Sequence, residues 1–399
     1  MKKYYLFVSL ISALLIIFHL NCVSKKDKVE RFTENGVEVV KSHLTAYKIK
    51  GTDSQVSLKN AFMIDAENPA LEEKGISRIY DFDVNSQGHI YLLCLDNDNG
   101  LILHFNSQGS FVHSFGRKGQ GPEEIQGRES FRINAKDEII LTDRYKIIYF
   151  DKDGNPLRES KVPLNTTYGA VLDNGNFLFK DPPMPVADKS GKLFSILALY
   201  DQEFRKIKEL EKIEYPDPGS QEIKGIYYKL LWYADGERIV TTIQKKDYEF
   251  HVYDVQGRPV RTIRKDYQAV SPSDEYKKEW IKNLGRRMYQ LIKDRVAFPA
   301  SLPPFHIFLG DESGRIYVMT YEKGSGPGEY IYDIFNSEGA LIARVSWPRC
   351  LSDDLMRFQG FDHIYGKIKN NRFYCLSENE NGSQQLIVSE LIWGKSNKK

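Results

Sequence analysis

The chain has 399 residues, of which 41% are hydrophobic, 13% aromatic and 28% charged. Its 56 basic and 54 acidic residues nearly cancel, to a formal net charge of +2, and the sequence has no long basic run. This composition argues against a nucleic-acid-binding protein. Its four cysteines are too few and too scattered to form a disulfide framework.

The N-terminal segment has the layout of a signal sequence. Lys2 and Lys3 precede an apolar run over residues 4–20, which ends at Cys22. A cysteine at this place looks like that of a bacterial lipobox, in which it becomes the acylated first residue, although His19 and Asn21 depart from the usual pattern. The alternatives are an uncleaved anchor helix, since the run is near the roughly 17–20 residues that span a bilayer, and a secreted soluble form.

We therefore expect residues 1–22 to be a lipoprotein-type signal peptide, with Cys22 as the lipidation site. Residues 23–55 are expected to be a tether and N-terminal segment, and the polar, charged stretch 23–35 suits a flexible tether. This layout predicts a lipid-anchored protein of the bacterial cell envelope, on the periplasmic side or at the cell surface.

A five-residue phrase then recurs along the chain: an aromatic residue, Asp or Asn, two variable residues and Gly. The Asx side chain can bond the backbone two residues on, and Gly supplies the positive φ that a tight turn needs. The spacing of the copies, roughly 45–53 residues with one longer interval, is typical of a β-propeller. The copies are Phe105–Gly109, Phe150–Gly154, Tyr253–Gly257 and Phe335–Gly339, with a fifth, Tyr200–Phe204, that lacks the glycine.

A second Asx-Gly turn about 20 residues upstream of each copy completes a four-stranded blade. These turns predict six blades, which begin near residues 76, 129, 167, 226, 303 and 360. The sixth blade lacks its outer strand, and we expect residues 56–64 to supply it, because closure removes an exposed sheet edge. The fold class is therefore all-β, a six-bladed propeller over residues 56–394 closed by an N-terminal strand, with a short tail at 395–399.

The longest interval between copies contains a helical insertion at about 271–300, between blades four and five. A single helix is predicted from Ser273, its N-cap, to about Lys293. Apolar residues recur on one side at Tyr276, Trp280, Leu284, Met288 and Leu291/Ile292, and basic residues cover much of the rest. One interpretation is a helix packed on the ring with a solvated basic face. The other is a lid or a partner-docking arm over the central funnel.

Two glycine-rich loops are the first candidates for a ligand site. In a propeller the Asx-Gly turns, such as those at Asn85 and Asn106, share one face, here called the turn face. The loops that join blades or connect second and third strands share the opposite face, here called the loop face, where ligands usually bind. The candidate residues there are Arg117, Lys118, Gly119 and Gly121 in one loop and Gly324 and Gly326 in the other. Their N–H groups could hold an anion, but a tight crossover that needs glycine is the favoured interpretation.

Catalytic and metal-binding patterns are weak. Asp143, with Arg144 beside it, and Asp96 are expected on the loop face, where convergent carboxylates can hold Ca²⁺, but turn capping is the favoured role. The histidines show no paired metal spacing, so no catalytic residue and no cofactor are predicted and the metal is unknown. Cys94 and Cys375 are expected to be neighbours through ring closure, either as a disulfide or, in the favoured interpretation, as buried apolar residues.

The run from Ile79 to Tyr91, continued through Phe105–Gly109 to Gly116–Glu124, resembles the bacterial six-bladed β-propeller lipoproteins related to NHL repeats. A blade that ends in Gly-Arg/Lys-x-Gly-x-Gly-Pro-x-Glu recurs in those proteins. The resemblance implies an envelope-exposed ring that is not an enzyme. The broader NHL-like group includes lyases and lactonases with a metal in the central funnel, but their ligand patterns do not match this chain residue by residue.

These observations predict a membrane-tethered, extracytoplasmic propeller that binds a protein, peptide or glycan and no nucleic acid. The alternative is a metal-dependent, NHL-like hydrolase or lyase with a site in the central funnel, for which Ca²⁺ is the candidate ion.

Overall fold

The computed structural model describes residues 29–47, 53–73, 78–94, 100–125, 130–142, 146–162, 169–187, 192–215, 223–224, 228–235, 237–244, 247–350 and 366–395. These residues form a six-bladed β-propeller, as the repeat predicts. In each blade the strands pair antiparallel in sequential order, and the first strand lies nearest the central axis.

The blades share one pattern, and they begin within a few residues of the predicted positions. Blades one to three have the strands Asp81–Val84, Ile90–Leu93, Ile102–Phe105 and Phe111–Phe115; Ser130–Ile133, Ile139–Thr142, Lys146–Phe150 and Pro156–Lys161; and Gly169–Val171, Phe177–Ala187, Leu193–Tyr200 and Lys206–Tyr215. Blades four to six have Leu230–Ala234, Arg238–Ile243, Glu249–Asp254 and Pro259–Lys265; Ile307–Gly310, Ile316–Lys323, Glu329–Phe335 and Leu341–Pro348; and Gly366–Lys369, Arg372–Glu378, Gln384–Lys395 and Asp53–Asp65.

The N-terminal strand closes the ring, as predicted. Asp53–Asp65 pairs antiparallel with Gln384–Lys395 and forms the outer strand of blade six. The apolar core consists of separate clusters in the interfaces between neighbouring blades. Each strand therefore alternates its side chains between the blade before it and the blade after it.

The predicted turn chemistry is present. In blade one, Asn106 Oδ1 accepts hydrogen bonds from the N–H groups of Gln108 (3.0 Å) and Ser110 (2.9 Å), and Gly109 has φ +82°. In the copy that lacks glycine, Phe204 takes φ +60° and stacks on Phe177 with 4.7 Å between ring centroids. Aromatic stacking and burial offset the cost of a left-handed backbone at a non-glycine residue.

Part of the N-terminal segment 23–55 is a hairpin on blade four. Glu30–Glu34 pairs antiparallel with Val37–Ser42, which in turn pairs parallel with the outer strand Pro259–Lys265. Asn35 and Gly36 form the turn with φ of +49° and +80°. Two successive residues with positive φ are what a two-residue hairpin turn requires, and Asn-Gly is its strongest sequence signal.

The helical insertion differs from the prediction, because it contains two helices rather than one. Ser273 caps the first helix, Asp274–Leu284, and accepts a hydrogen bond from the N–H of Tyr276. Gly285, with φ +83° and ψ 140°, then ends this helix, and Arg286–Ile292 forms a second one, followed by a 3₁₀ turn, Lys293–Arg295. The glycine takes a backbone conformation that an α-helix cannot contain.

The remaining elements are short. A four-residue helix, Pro69–Glu72, follows the closing strand, and two small parallel pairs join Arg117–Lys118 to Glu124–Ile125 and Ile223–Lys224 to Val296–Ala297. No helix in the described part of the chain is both long and apolar enough to cross a membrane.

No disulfide joins Cys94 to Cys375: Cys94 is buried, as the favoured interpretation predicted, but Cys375 is not a free apolar residue. Cys375 forms a disulfide with Cys350, whose Cα atom is 5.1 Å away, while Cys94 is a buried free thiol. Cys375 points toward blade five and Cys94 packs into the interface between blades six and one, so the two lie in different clusters. The disulfide links the segment after the last strand of blade five to the second strand of blade six.

The glycine of the Asx turn also packs against the preceding blade. A Cβ atom added at Gly154 in blade two would lie 2.3 Å from the ring of Phe115 in blade one. Gly382 has nearly the same backbone, with φ +84°, but no atom lies within 4 Å of its added Cβ.

Comparison of alanine substitutions at these two glycines separates the free-energy cost of backbone strain from that of lost interface packing. Gly382→Ala should lower the free energy of unfolding by about 1 kcal/mol, the cost of a left-handed alanine. Gly154→Ala should lower it by roughly 2–4 kcal/mol, because the Phe115 ring must also move. Urea unfolding followed by tryptophan fluorescence measures both values, and equal losses would contradict the packing role of Gly154.

Candidate functional site

The six inner strands surround a central channel with a cavity of about 460 Å³. The lining includes residues of the first-to-second-strand turns, such as Ser86, Asn134, Asp235 and Glu312, so the cavity opens on the turn face. Its volume is within the range of roughly 300–1,000 Å³ that is usual for small-molecule sites. Sequence reasoning placed the candidate residues on the loop face and considered a site in the central funnel only for the metal-dependent alternative.

One wall of the channel is ionic and comes from blades six, one and two. Asp81 Oδ2 is 2.8 Å from Arg132 Nη1, and Asp83 Oδ1 is 2.6 Å from Lys367 Nζ. Asp83 also accepts a hydrogen bond from the N–H of Ile133 (2.9 Å), which joins blades one and two. Burial raises the pKa of Asp83, but the nearby positive charges of Lys367, Lys369 and Arg132 outweigh it and hold the pKa below its usual value.

The opposite wall comes from blades three to five and is apolar except at the turns, where Asp173, Asp235 and Glu312 lie. Ala170, Val171, Trp232, Phe308 and Leu309 line it. Lys369 lies on the ionic side and, within the described part of the chain, has no ion-pair partner within 4.0 Å. The channel thus offers a ligand charged groups on one side and an aromatic and aliphatic surface on the other.

The two predicted glycine-rich loops share a self-contained turn. The N–H of Gly121 donates to Glu124 Oε2 (2.9 Å), and the N–H of Gly326 donates in the same way to Glu329 Oε2 (3.0 Å). The glutamate of each Gly-Pro-x-Glu sequence thus occupies the place that an external anion would take. Gly119 and Gly324 are used similarly, with their N–H groups bonded to the carbonyls of Ile125 and Glu329. The geometry is that of a tight crossover, and binding by these loops stays a prediction.

The other predicted site residues do not meet at one place. Arg117 and Lys118 are exposed on the strand of the first loop, far along the chain from Gly324 and Gly326 of blade five. Asp96, Asp143, Arg144 and Cys22 lie outside the described residues. Among the residues that are described, no group of three or more His, Cys, Asp or Glu side chains is arranged to hold a metal ion.

Sequence reasoning missed a histidine cluster in blade one. His89 Nδ1 lies 2.8 Å from His104 Nε2, and His113, on the adjacent strand, has its ring centroid 5.0 Å from that of His104. His104 is only 3% exposed and stacks on Tyr91. Burial, together with the neighbouring His113 and His89, lowers the pKa of His104 to about 4. The alternating register that brings these residues together is visible only once the strands are paired.

The helical insertion lies on the loop face. Glu279 of the first helix is 2.6 Å from Arg349, and Tyr276 packs edge-on against Tyr321 near the loop-face end of blade five. The chain after the second helix pairs with Ile223–Lys224 in the connection between blades three and four. The insertion therefore lies on the face opposite the mouth of the cavity.

The fold and the central channel define a six-bladed β-propeller with a cavity of ligand size. The chain belongs to family DUF5128, described as a 6-bladed beta-propeller, whose family model matches residues 71–278. No curated protein matches the chain.

Solved structures share the fold at low identity. A Bacteroides fragilis protein described as exported is 16% identical, with a TM-score of 0.49, over 90% of this chain and 100% of its own. A gluconolactonase of Xanthomonas campestris is 10% identical, with a TM-score of 0.36, over 86% of this chain and 100% of its own. A Bacteroides caccae protein of unknown function is 9% identical, with a TM-score of 0.35, over 68% and 82%. These similarities concern the fold alone.

The buried histidine predicts a pH-dependent stability. Unfolded His104 takes up a proton near its ordinary pKa of 6.5, whereas the folded protein binds it only near pH 4. The stability that this group contributes is therefore present above pH 6.5 and lost as the pH falls toward 4, by on the order of 2–3 kcal/mol. His104→Gln should flatten this part of the pH profile measured by urea unfolding. His43→Gln, outside the cluster, should leave the acid-side loss in place, and an unchanged slope in His104→Gln would refute the assignment.

Proposed function

We propose that this protein is a membrane-tethered, extracytoplasmic binding module whose ligand, a protein segment, peptide or glycan, enters the central channel from the turn face. The observation that carries the proposal is the cavity of about 460 Å³, with ion pairs on one wall and Ala170, Val171 and Trp232 on the other. Such a lining can hold a ligand that has both polar and apolar parts.

The charged side chains of the cavity limit which ligands it can bind. Asp81 and Asp83 are already paired with Arg132 and Lys367, so these four residues offer little net charge. Six carboxylates and three basic groups line the cavity in all, so the lining favours a neutral or cationic polar group, such as a sugar hydroxyl or a lysine side chain. The carboxylates are those of Asp81, Asp83, Asp137, Asp173, Asp235 and Glu312. Trp232 offers an aromatic face on the other side, against which a sugar ring or an apolar side chain can pack.

The turns around the mouth favour binding without large rearrangement. Asn85 Oδ1 accepts hydrogen bonds from the N–H groups of Gln87 (3.0 Å) and His89 (2.9 Å), and Asp311 Oδ1 makes the equivalent bonds in blade five. Ser86 Oγ also donates to Asp137 across two blades. Because these bonds are made within the protein, little conformational entropy is lost when a ligand binds.

The proposed location depends on the N-terminal pattern. The apolar run before Cys22 supports export and acylation, and the first described strand, at the edge of blade four, begins at Glu30, only a few residues later. The described residues then form one closed ring, which a lipid at Cys22 would hold close to a membrane.

Blocking the channel tests the binding proposal. Ala170→Trp should fill the cavity, and Asp173→Asn should remove one of the carboxylates that line it, so both variants should lose at least about tenfold in affinity for hits from peptide and glycan arrays. Gln108→Trp, on an exposed turn outside the channel, is the matched control and should bind as the parent does. Thermal unfolding of each variant confirms that it is folded. Parent-like binding by both channel variants would overturn the channel as the site, whereas stabilisation by Ca²⁺ that EDTA reverses would favour the hydrolase alternative.

The lipid anchor has its own test. In a bacterial host, the parent should partition into detergent and carry acyl mass on an N-terminal Cys22, while Cys22→Ala should lack this mass and remain aqueous or keep its signal sequence. If the parent and Cys22→Ala partition alike and neither carries acyl mass, the anchor proposal fails.

A further inference from the structure

The second helix of the insertion exposes apolar side chains that the ring does not use. No residue of Arg286–Ile292 is buried. Leu291 is 71% exposed, the highest value among the large apolar residues of the described chain, and Met288 is 49% exposed. These two residues are one helical turn apart and so form a single apolar patch. Burial of these two side chains in an apolar phase would remove them from water.

The first helix, in contrast, is fixed to the ring. Glu279 pairs with Arg349, Tyr276 packs on Tyr321, and Trp280 lies edge-on to Phe298 with ring centroids 5.4 Å apart. The first helix is therefore held in place against the ring. The break at Gly285 changes the direction of the chain, so the second half of the predicted apolar stripe, on the second helix, does not pack on the ring.

Basic residues surround the exposed patch. Arg286, Arg287, Lys293 and Arg295 lie in this segment with a single acid, Asp294. A short amphipathic helix with apolar residues on one side and Lys or Arg beside them is the pattern of helices that lie in the interface of an anionic bilayer. Each basic residue close to such a surface contributes to binding through its attraction to anionic lipids.

The tether enters the ring beside the root of the insertion. Glu30 is 3.3 Å from His43, and His43 is 2.8 Å from Asp266, which precedes Ser273 by seven residues. Cys22 precedes Glu30 by eight residues, a length of chain that spans at most about 29 Å. An acyl group on Cys22 would therefore hold the root of the insertion close to the bilayer.

We propose that the segment Arg286–Arg295 binds the surface of an anionic phospholipid bilayer, with Met288 and Leu291 inserted among the headgroups. The inference rests on the lipid anchor of the proposed function. It gives the anchored ring an orientation, in which the loop face lies toward the membrane and the mouth of the channel faces away from it.

Site-specific fluorescence on the full acylated chain tests this orientation. In Leu291→Cys the new thiol takes an environment-sensitive label, because Cys22 is acylated, Cys94 is buried and Cys350 and Cys375 form a disulfide. Gln108→Cys, on the turn face, is the matched control. In vesicles of phosphatidylglycerol and phosphatidylethanolamine, the label at position 291 should shift to the blue and be quenched by a lipid-attached quencher, while the label at 108 should report water.

A charge variant separates insertion from simple tethering. Arg286→Glu with Arg287→Glu should abolish most of the quenching at position 291, and the matched pair Arg205→Glu with Lys206→Glu on the turn face of blade three should not. If the parent floats with vesicles but the label at 291 stays in water, the membrane-docking inference is overturned and the lipid anchor stands. If the acylated parent does not float with vesicles at all, both the membrane-docking inference and the lipid-anchor proposal are overturned.

Discussion

The antiparallel pairing of Asp53–Asp65 with Gln384–Lys395 closes the ring, and the other features of this molecule depend on it. Without this strand, blade six would end in an exposed edge, and its contact with blade one would lose support. The chain reaches this strand from the hairpin on blade four and crosses blade five, where Ser42 Oγ accepts a hydrogen bond from Leu341 N–H (3.0 Å) and Tyr47 N–H donates to the carbonyl of Leu341 (2.8 Å). One N-terminal segment thus ties three blades together.

The seam between the last blade and the first also explains why the channel is asymmetric. Lys367 of blade six, Asp83 of blade one and Arg132 of blade two meet only because the ring is closed. Buried ion pairs contribute little net stability, since desolvation opposes their attraction, but removal of one partner is costly. We infer that this network fixes how the terminal blades dock. The same network places ion pairs near the seam, whereas the far side is apolar between the carboxylates of its turns, and the proposed ligand site uses this difference.

The sequence predicts the blades because the hydrogen bonds of the Asx turns are local. Asn106 and Asp151 each accept hydrogen bonds from the N–H groups two and four residues ahead. A stretch of five residues is therefore enough to predict each turn. Two further local signals, Asn35–Gly36 and Gly285, were present and indicate the hairpin and the helix break. The channel pairs could not be predicted in this way. Asp81 and Arg132 are 51 residues apart in the sequence. Cys375 forms its disulfide with Cys350 rather than Cys94 because the alternation of side chains along its strand points it toward blade five. Such contacts depend on blade packing, which has no signature in a short stretch of sequence.

The two proposals are compatible because they use opposite faces of a ring whose turns are fixed internally. Membrane binding through Arg286–Arg295 would occupy the loop face, where the first helix is held by Arg349 and Tyr321. The cavity opens among turns on the other face, so a ligand could enter without displacing the anchor or the insertion. The seven residues between Cys22 and Glu30 are too few to let the ring move far from the bilayer. Bilayer contact by the insertion would then restrict rotation as well, and a rigid ring held in this orientation would present its channel to ligands in the space beyond the membrane.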